Sequence, residues 1–214
     1  MHHPIPRALL CRLLPLVLAA GCVRFKTDLG KLPESSYRTI DHDDQGGVSE
    51  VELTRAATVE DLALPAGTRL RFDAVHGDIA TIFTRESVVV HGMTVPASSR
   101  IDLRVPAGRS SHEVIAIELG AEMSQGDAAF VAGDVLSFEG GRFASARLHG
   151  GRAFGGKDYP ADADLWFNDS GEVTKVVTRG ERERAQARVD DCNTQCAPVV
   201  DSYQHDVCMT RCLP

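Results

Sequence analysis

The sequence predicts a mainly β protein, in which an antiparallel sheet of β-hairpin repeats forms an open barrel or a solenoid-like stack. A short disulfide-linked helical hairpin is expected to follow at the C-terminal end. Three observations favour this fold: an eight-residue pattern that recurs four times, a glycine turn after each copy, and four cysteines in two C-x3-C pairs. With 43% hydrophobic and 25% charged residues, the composition is that of a folded globular chain rather than a disordered one.

The recurring pattern consists of four octads that align without gaps. They read "PAGTRLRF" from Pro65, "PASSRIDL" from Pro96, "VAGDVLSF" from Val131 and "PADADLWF" from Pro160. Each octad ends in two apolar residues that are two places apart, with mostly polar residues at the alternate places. This period of two is typical of a strand with one buried face. Trp166 is the exception, because it places an aromatic ring on the face that is otherwise polar.

A second strand is expected after each octad. Gly77, Gly141 and Gly171 are each followed by apolar or small residues two and five places later. Glycine at the end of a short loop supplies the positive φ that hairpin turns need. The spacing of three between the following residues breaks strict alternation, which predicts a bulge or a change of face. The octads and these strands together predict a repeat domain over residues 46–178.

The stretch "DHDDQGGVSEVEL", residues 41–53, has two interpretations. Its oxygen-bearing residues follow the spacing of an EF-hand calcium loop, in which the ligands would be Asp41, Asp43, Gln45 and Glu52. The same stretch places Val48 and Val51 two and five places after Gly46, which is the register found around Gly171. We interpret it as a hairpin turn and a strand, and calcium binding remains the alternative.

The C-terminal segment, residues 179–214, contains Cys192, Cys196, Cys208 and Cys212. A spacing of four places both cysteines of a pair on one face of a helix, and in the first helix this face continues back through Val189 to Ala185 as one apolar stripe. Two antiparallel helices would then join Cys192 to Cys212 and Cys196 to Cys208. A zinc site is the alternative, but an oxidising compartment favours disulfides. The spacing is similar to that of the twin C-x3-C hairpins of small mitochondrial import chaperones, a similarity that carries no function across.

The N-terminus, "MHHPIPRALLCRLLPLVLAAGC", has basic residues beside an apolar run that is too short to span a bilayer. Its end, Ala19-Ala20-Gly21-Cys22, resembles the signal of bacterial lipoproteins, although that family usually has leucine at position 19. The resemblance implies a signal peptide over residues 1–21, acylation of Cys22 and a lipid-anchored linker over residues 22–45. Val23 after the cysteine implies sorting to the outer membrane. A plain secretory signal is the alternative.

Charge and motifs restrict the possible functions. The formal charge is −7, and about −9 once the two arginines of the signal are removed, which argues against a nucleic-acid partner. We find no nucleophile elbow, no HExxH motif, no phosphate-binding glycine loop and no motif for a cofactor. The expected function is therefore that of a membrane-anchored, non-enzymatic envelope lipoprotein that acts as a structural or interaction module with an envelope protein partner. The alternative is a ligand-binding lipoprotein, for calcium through residues 41–52 or for a lipid in the curled sheet.

Overall fold

The structure is a computed structural model that describes residues 29, 32, 35–44, 46–59, 61–73, 77–106, 111–125, 128–154, 156–168, 170–197 and 202–212. The expected signal peptide, residues 1–21, and the expected acylation site Cys22 lie outside these residues.

The described chain forms eighteen strands and two helices. The strands are β1 (Tyr37–His42), β2 (Val48–Leu53), β3 (Ala57–Val59), β4 (Leu62–Leu64), β5 (Arg69–Phe72), β6 (Ile79–Phe83), β7 (Val88–Val90), β8 (Met93–Val95), β9 (Arg100–Arg104), β10 (Glu113–Glu118), β11 (Met123–Gln125), β12 (Ala128–Phe130), β13 (Val135–Glu139), β14 (Arg142–Arg147), β15 (Arg152–Phe154), β16 (Lys157–Tyr159), β17 (Asp164–Phe167) and β18 (Val173–Val177). The helices are α1 (Arg179–Cys196) and α2 (Ser202–Cys212).

Ten of the strands form one antiparallel sheet in the order β1-β2-β5-β6-β9-β10-β13-β14-β17-β18. The sheet does not close, so β1 and β18 are its edges. Between successive long hairpins the chain forms the short hairpins β3–β4, β7–β8, β11–β12 and β15–β16. The predicted antiparallel hairpin sheet is therefore confirmed in its open, repeat-built form. The sheet begins at Tyr37, inside the segment 22–45 that the sequence predicts as a linker.

One cross-strand row forms the centre of the core. Strand register places eight apolar side chains side by side, and each is at most 1% exposed: Val51, Leu70, Ile82, Ile101, Ile117, Leu136, Ala146 and Leu165. These side chains share one hydrophobic cluster with residues of the short hairpins, such as Val90 and Phe130. Burying one large aliphatic side chain contributes about 1.5–3 kcal/mol. A single hairpin has no second layer to bury it, so the units stabilise one another.

The same pair of backbone hydrogen bonds recurs at the end of each of the first four long hairpins, and we call this pair the joint. In the first copy, the N–H of Leu53 donates to the carbonyl of Thr68 (2.8 Å) and the N–H of Gly67 donates to the carbonyl of Leu53 (2.7 Å). Thr84, Leu119 and Leu148 make the equivalent pairs with the following octads. This joint fixes the start of each octad against the preceding strand, and it explains why the octads align without gaps.

All five long hairpins contain a register shift next to their turn. The bulge or change of face that the spacing of three predicts is thereby confirmed. Gly46 and Gly171 occupy equivalent turns with φ of +79° and +80°, a conformation that disfavours any other residue. Asp41 and His42 accordingly end β1, and Val48–Leu53 form β2 after the turn at Gly46, as the repeat register predicts.

The outer face of the sheet is polar and paired. Glu50 lies between Arg69 and Arg71, with N–O distances of 3.1 Å to each. Trp166 lies on this face as the sequence predicts, and the ammonium group of Lys175 is 4.9 Å from its ring centroid. Exposed ion pairs contribute only about 0–1 kcal/mol each. Pairs that are exposed on both sides, such as Arg100 with Glu118, therefore add little to the stability of the sheet, whereas Glu50 is itself buried.

Helix α1 follows β18 after a single residue, Thr178, which caps it in a capping box with Glu181. The Glu181 carboxylate accepts hydrogen bonds from the backbone N–H of Thr178 (2.7 Å) and from the Thr178 hydroxyl (2.9 Å). The backbone bond, and to a smaller extent the hydroxyl bond, hold the pKa of Glu181 below its usual value. A contact of 2.6 Å between Arg182 and Asp164 joins the helix to the sheet. The structure describes no helix that is both long and apolar enough to cross a bilayer.

The two helices are held together by disulfides between Cys192 and Cys212 and between Cys196 and Cys208. Both predicted pairings are confirmed. The apolar stripe predicted along α1 is only partly buried, because Ala185 is exposed and burial is confined to the cysteines near the C-terminal end.

Candidate functional site

The residues predicted as calcium ligands have separate partners. The Asp43 carboxylate accepts the N–H of Gly47 (2.7 Å) inside the turn, and the Glu52 carboxylate contacts Arg38 (2.8 Å) across the outer face. The Asp41 carboxylate accepts the N–H of His42 (2.9 Å), and Gln45 lies outside the described residues. Among the residues that the structure describes, no three His, Cys, Asp or Glu side chains are grouped to hold a metal ion. The flanking segments are strands, where an EF-hand has helices.

A cleft of about 440 Å³ opens where the turns of the last two long hairpins meet the short hairpins β7–β8 and β11–β12. We call it the aromatic cleft. It is lined by His91, Met93, Gln125, Ala128, Phe138, Gly141, Arg142, Phe143, Phe167, Asn168, Ser170 and Gly171. Its volume falls within the roughly 300–1,000 Å³ of ordinary small-molecule sites.

The floor of the aromatic cleft is a cluster of phenylalanine rings. The rings of Phe143 and Phe167 are 4.9 Å apart between centroids, and Phe138 is 6.1 Å from Phe143. Phe130 lies beneath them, fully buried and 5.9 Å from Phe143. Contacts of this kind contribute about 0.5–1.5 kcal/mol per pair beyond area burial. The floor is therefore a packed surface, of which Phe143 and Phe167 remain partly exposed.

The repeat itself explains why these rings meet. Phe138 and Phe167 are the last residues of their octads, and Phe143 is the residue two places after its turn glycine. Strand pairing places Phe138 opposite Phe143. The equivalent pair in the first octad hairpin is Phe72 with Ile79, so the aromatic enrichment belongs to the later units.

The rim of the aromatic cleft is polar and ordered. Asn168 accepts the N–H groups of Ser170 (3.1 Å) and Glu172 (2.9 Å), which fixes the turn between β17 and β18. On the opposite side, His91 and Gly92 join β7 to β8 with φ of +50° and +78°. Both values are those of a type I′ turn, whose two central positions are more usually occupied by Asn or Gly than by His. The His91 ring packs against Phe138, with centroids 5.6 Å apart.

A second cavity of about 640 Å³ adjoins the first, and His91 and Gly141 line both. Its lining includes Asp61 and Glu113, whereas the described lining of the aromatic cleft contains Arg142 and no acidic residue. At the rim of the aromatic cleft, the side chains of Asn168 and Ser170 donate to the Glu172 carboxylate (3.0 and 3.4 Å). The aromatic cleft is suited to an apolar group with a polar end.

Sequence reasoning missed this cleft. The signal that could have found it is Phe143, the one aromatic residue among the three glycine-plus-two positions, where Ile79 and Val173 are its equivalents. The alignment does not show that β11–β12 and β7–β8 close the space above these rings.

Comparisons with protein-family models, with curated proteins and with solved structures found no match to this chain.

Proposed function

We propose that the protein is an envelope lipoprotein, anchored to the outer membrane through Cys22, and that its sheet acts there as a non-enzymatic structural or interaction module. The observation that supports this most directly is the pair of disulfides Cys192–Cys212 and Cys196–Cys208. Structural disulfides of this kind form in exported proteins, because the cytosol keeps thiols reduced. They agree with the export signal that residues 1–22 resemble.

The position of the sheet along the chain fits such an anchor. Fourteen residues lie between Cys22 and Tyr37, where the sheet begins, and Leu29 and Leu32 among them already pack against the core. The segment from Cys22 to Leu29 spans at most roughly 25 Å when fully extended. The sheet could therefore work clear of the membrane surface, where its paired outer face and its edge strands are accessible to an envelope protein. More than one acyl chain on the cysteine would give stable anchoring, since a single chain gives only marginal binding.

The test is acylation and fractionation of two matched variants in a bacterial host that makes lipoproteins. Cys22→Ser should release the protein from the outer-membrane fraction of a density gradient and remove the mass of the acyl chains. Cys11→Ser is the control, because it alters a cysteine of the same signal that is removed before anchoring. An unchanged distribution of the Cys22→Ser protein, or an unacylated wild-type protein, would contradict the anchor.

The aromatic cleft favours a second candidate function, in which the anchored protein binds a small ligand. The cleft combines a floor of partly exposed phenylalanines with an ordered polar rim, which is the usual composition of a small-molecule site. The calcium loop receives no comparable support, because its carboxylates are engaged elsewhere. Ligand binding would add to membrane anchoring and does not replace it.

A further inference from the structure

We infer that helix α2 is a dimerisation surface, through which the C-terminal hairpin binds the same hairpin of a second copy of this chain. The surface is the stripe Tyr203, Val207 and Arg211, which recur every four places along α2. This inference goes beyond the proposed function. It concerns the other end of the chain from Cys22, so it does not depend on whether that cysteine is acylated.

The helical hairpin stands apart from the core of the sheet. Among the described residues, the hydrophobic cluster of the core includes no residue of α1 or α2, and the buried residues of the two helices are Cys192 and Cys196. Arg179 and Arg182 join the start of α1 to the sheet through ion pairs. The two disulfides tie the helices to each other, so they fix a shape that the sheet itself does not need. The role of the hairpin therefore lies on its own surface.

A groove of about 560 Å³ runs along α2 beside the end of α1, and we call it the tail groove. Its lining includes Tyr203, Val207 and Arg211, with Gln195 of α1 and the disulfide-bonded Cys208 and Cys212. Tyr203 is 76% exposed, although it carries a large aromatic ring. Tyrosine and arginine are enriched in protein interfaces and among the residues that carry most of their binding energy. The composition of the tail groove is therefore that of a protein-binding surface.

The order of the side chains makes the stripe complementary to itself. If two antiparallel α2 helices are related by a two-fold axis at Val207, each Tyr203 lies opposite the Arg211 of the other copy, because both residues are four places from the axis. A guanidinium over the face of a tyrosine ring is attracted to it. Val207 meets its own copy at the centre. One patch thus supplies both halves of the interface, as a two-fold dimer requires.

The position of the tail groove leaves room for this contact. Gln195 lies roughly 20 Å along α1 from Arg182, which contacts the sheet, so the sheets of two copies can stay apart. Helix α2 has 11 residues and is therefore only roughly 17 Å long. A surface of this size should bury less than about 1,200 Å², which is the range of weak complexes. We therefore expect a dissociation constant in the micromolar range.

The experiment measures the oligomeric state of the full chain carrying Cys22→Ser, exported so that both disulfides form, in buffer without detergent. Sedimentation equilibrium over roughly 1 μM to 1 mM should show a monomer that becomes a dimer. Tyr203→Lys places an ammonium group against Arg211 of the other copy, and Arg211→Glu places a carboxylate against the Tyr203 ring. Each substitution acts twice in a two-fold interface and should weaken association at least about tenfold.

A mixture of the two variants tests the two-fold pairing directly. In the mixed dimer, the ammonium group introduced at position 203 meets the carboxylate introduced at position 211, and the second contact is the original one between Tyr203 and Arg211. The mixed dimer should therefore be at least about fivefold tighter than the dimer of either variant. Arg188→Glu is the matched control, because it makes the same charge change at an exposed residue of α1 outside the tail groove. Its association should stay within about twofold of that of the unsubstituted stripe.

Several results would overturn the inference. They are a monomer at every concentration, undiminished association of folded Tyr203→Lys and Arg211→Glu proteins, and no recovery in their mixture. An equal loss from Arg188→Glu would also overturn it, since association would then follow overall charge and not the stripe. If either variant does not form both disulfides, amide exchange of the chain with the intact stripe decides. Exchange around Val207 should be slower at high protein concentration than at low, and an unchanged rate would exclude the dimer.

Discussion

Asp134 offers the sharpest test of how the repeat is held together. Its side chain is 0% exposed, and its carboxylate accepts the N–H groups of Val131 (2.9 Å) and His149 (2.8 Å) and contacts the guanidinium of Arg152. Removing one member of a buried ion pair costs about 3–5 kcal/mol, because the other charge is left without compensation. A typical domain is stable by only about 5–15 kcal/mol. Asp134→Ala should therefore remove a large share of the total stability.

Two further variants separate the contributions. In the preceding unit, Ser99 occupies the same octad position, and its hydroxyl accepts the N–H of Gly120 (3.0 Å), which is equivalent to the His149 bond. Asp134→Ser should keep that bond and lose the ion pair and the Val131 bond, so it should cost less than Asp134→Ala. Adding Arg152→Ala to Asp134→Ala should restore about 1–3 kcal/mol, because it removes the uncompensated charge.

The assay is urea unfolding followed by the fluorescence of Trp166, the single tryptophan of the chain. A fall in the midpoint at constant slope reports the loss of unfolding free energy. Glu118→Ala is the control, because its side chain is 50% exposed and its carboxylate contacts the exposed side of Arg100 on the outer face; its cost should stay below about 1 kcal/mol. If Asp134→Ala costs less than about 1 kcal/mol, or no more than the control, the buried pair is not what stabilises this joint.

Two other predictions concern the first turn and the first helix. The melting temperature should be the same in millimolar calcium and in chelator, since a site saturated 100-fold would add about 2.7 kcal/mol; a rise in calcium that Glu52→Gln abolishes would support an EF-hand. The capping box should stabilise α1 above the ordinary pKa of a glutamate and lose this effect as pH falls through the lowered pKa of Glu181. Amide exchange at the start of α1 should therefore accelerate at acid pH, and Thr178→Ala should remove that dependence at a cost of about 0.5–2 kcal/mol; exchange that is independent of pH would contradict the capping argument.

The sheet could be predicted because its signals are local and repeated. The octads show period two directly, and the glycine register revealed the bulges and the first hairpin at Gly46. The short hairpins could not be predicted in the same way. Strands of three residues, such as Val88–Val90 and Met93–Val95, are too short to show an alternation that differs from chance. The sequence therefore predicts no strands there, although residues of these short hairpins are part of the core.

The helical tail shows a second limit. A spacing of four fixed the face on which the cysteines lie, and two antiparallel helices then allowed one level pairing, which the structure confirms. The same argument extended the stripe back to Ala185, which is exposed. Helical periodicity defines a face, but it does not say which stretch of that face meets a neighbour. Only the last turns of α1 lie against α2.

The candidate cleft could not be predicted from the sequence, because side chains at equivalent positions of the repeat vary without changing the fold. Backbone hydrogen bonds hold every joint, so side chains at equivalent positions can vary without changing the fold. The fourth octad residue is accordingly Thr68, Ser99, Asp134 or Ala163. Where the scaffold tolerates such variation, a large departure in one unit needs a reason in packing or in binding. Phe143 is such a departure, because Ile79 and Val173 occupy the equivalent positions, whereas Phe72, Phe138 and Phe167 all end their octads with the same residue. Phe130 is fully buried, which packing explains, whereas Phe143 and Phe167 keep exposed surface beside a polar rim, which packing alone does not explain.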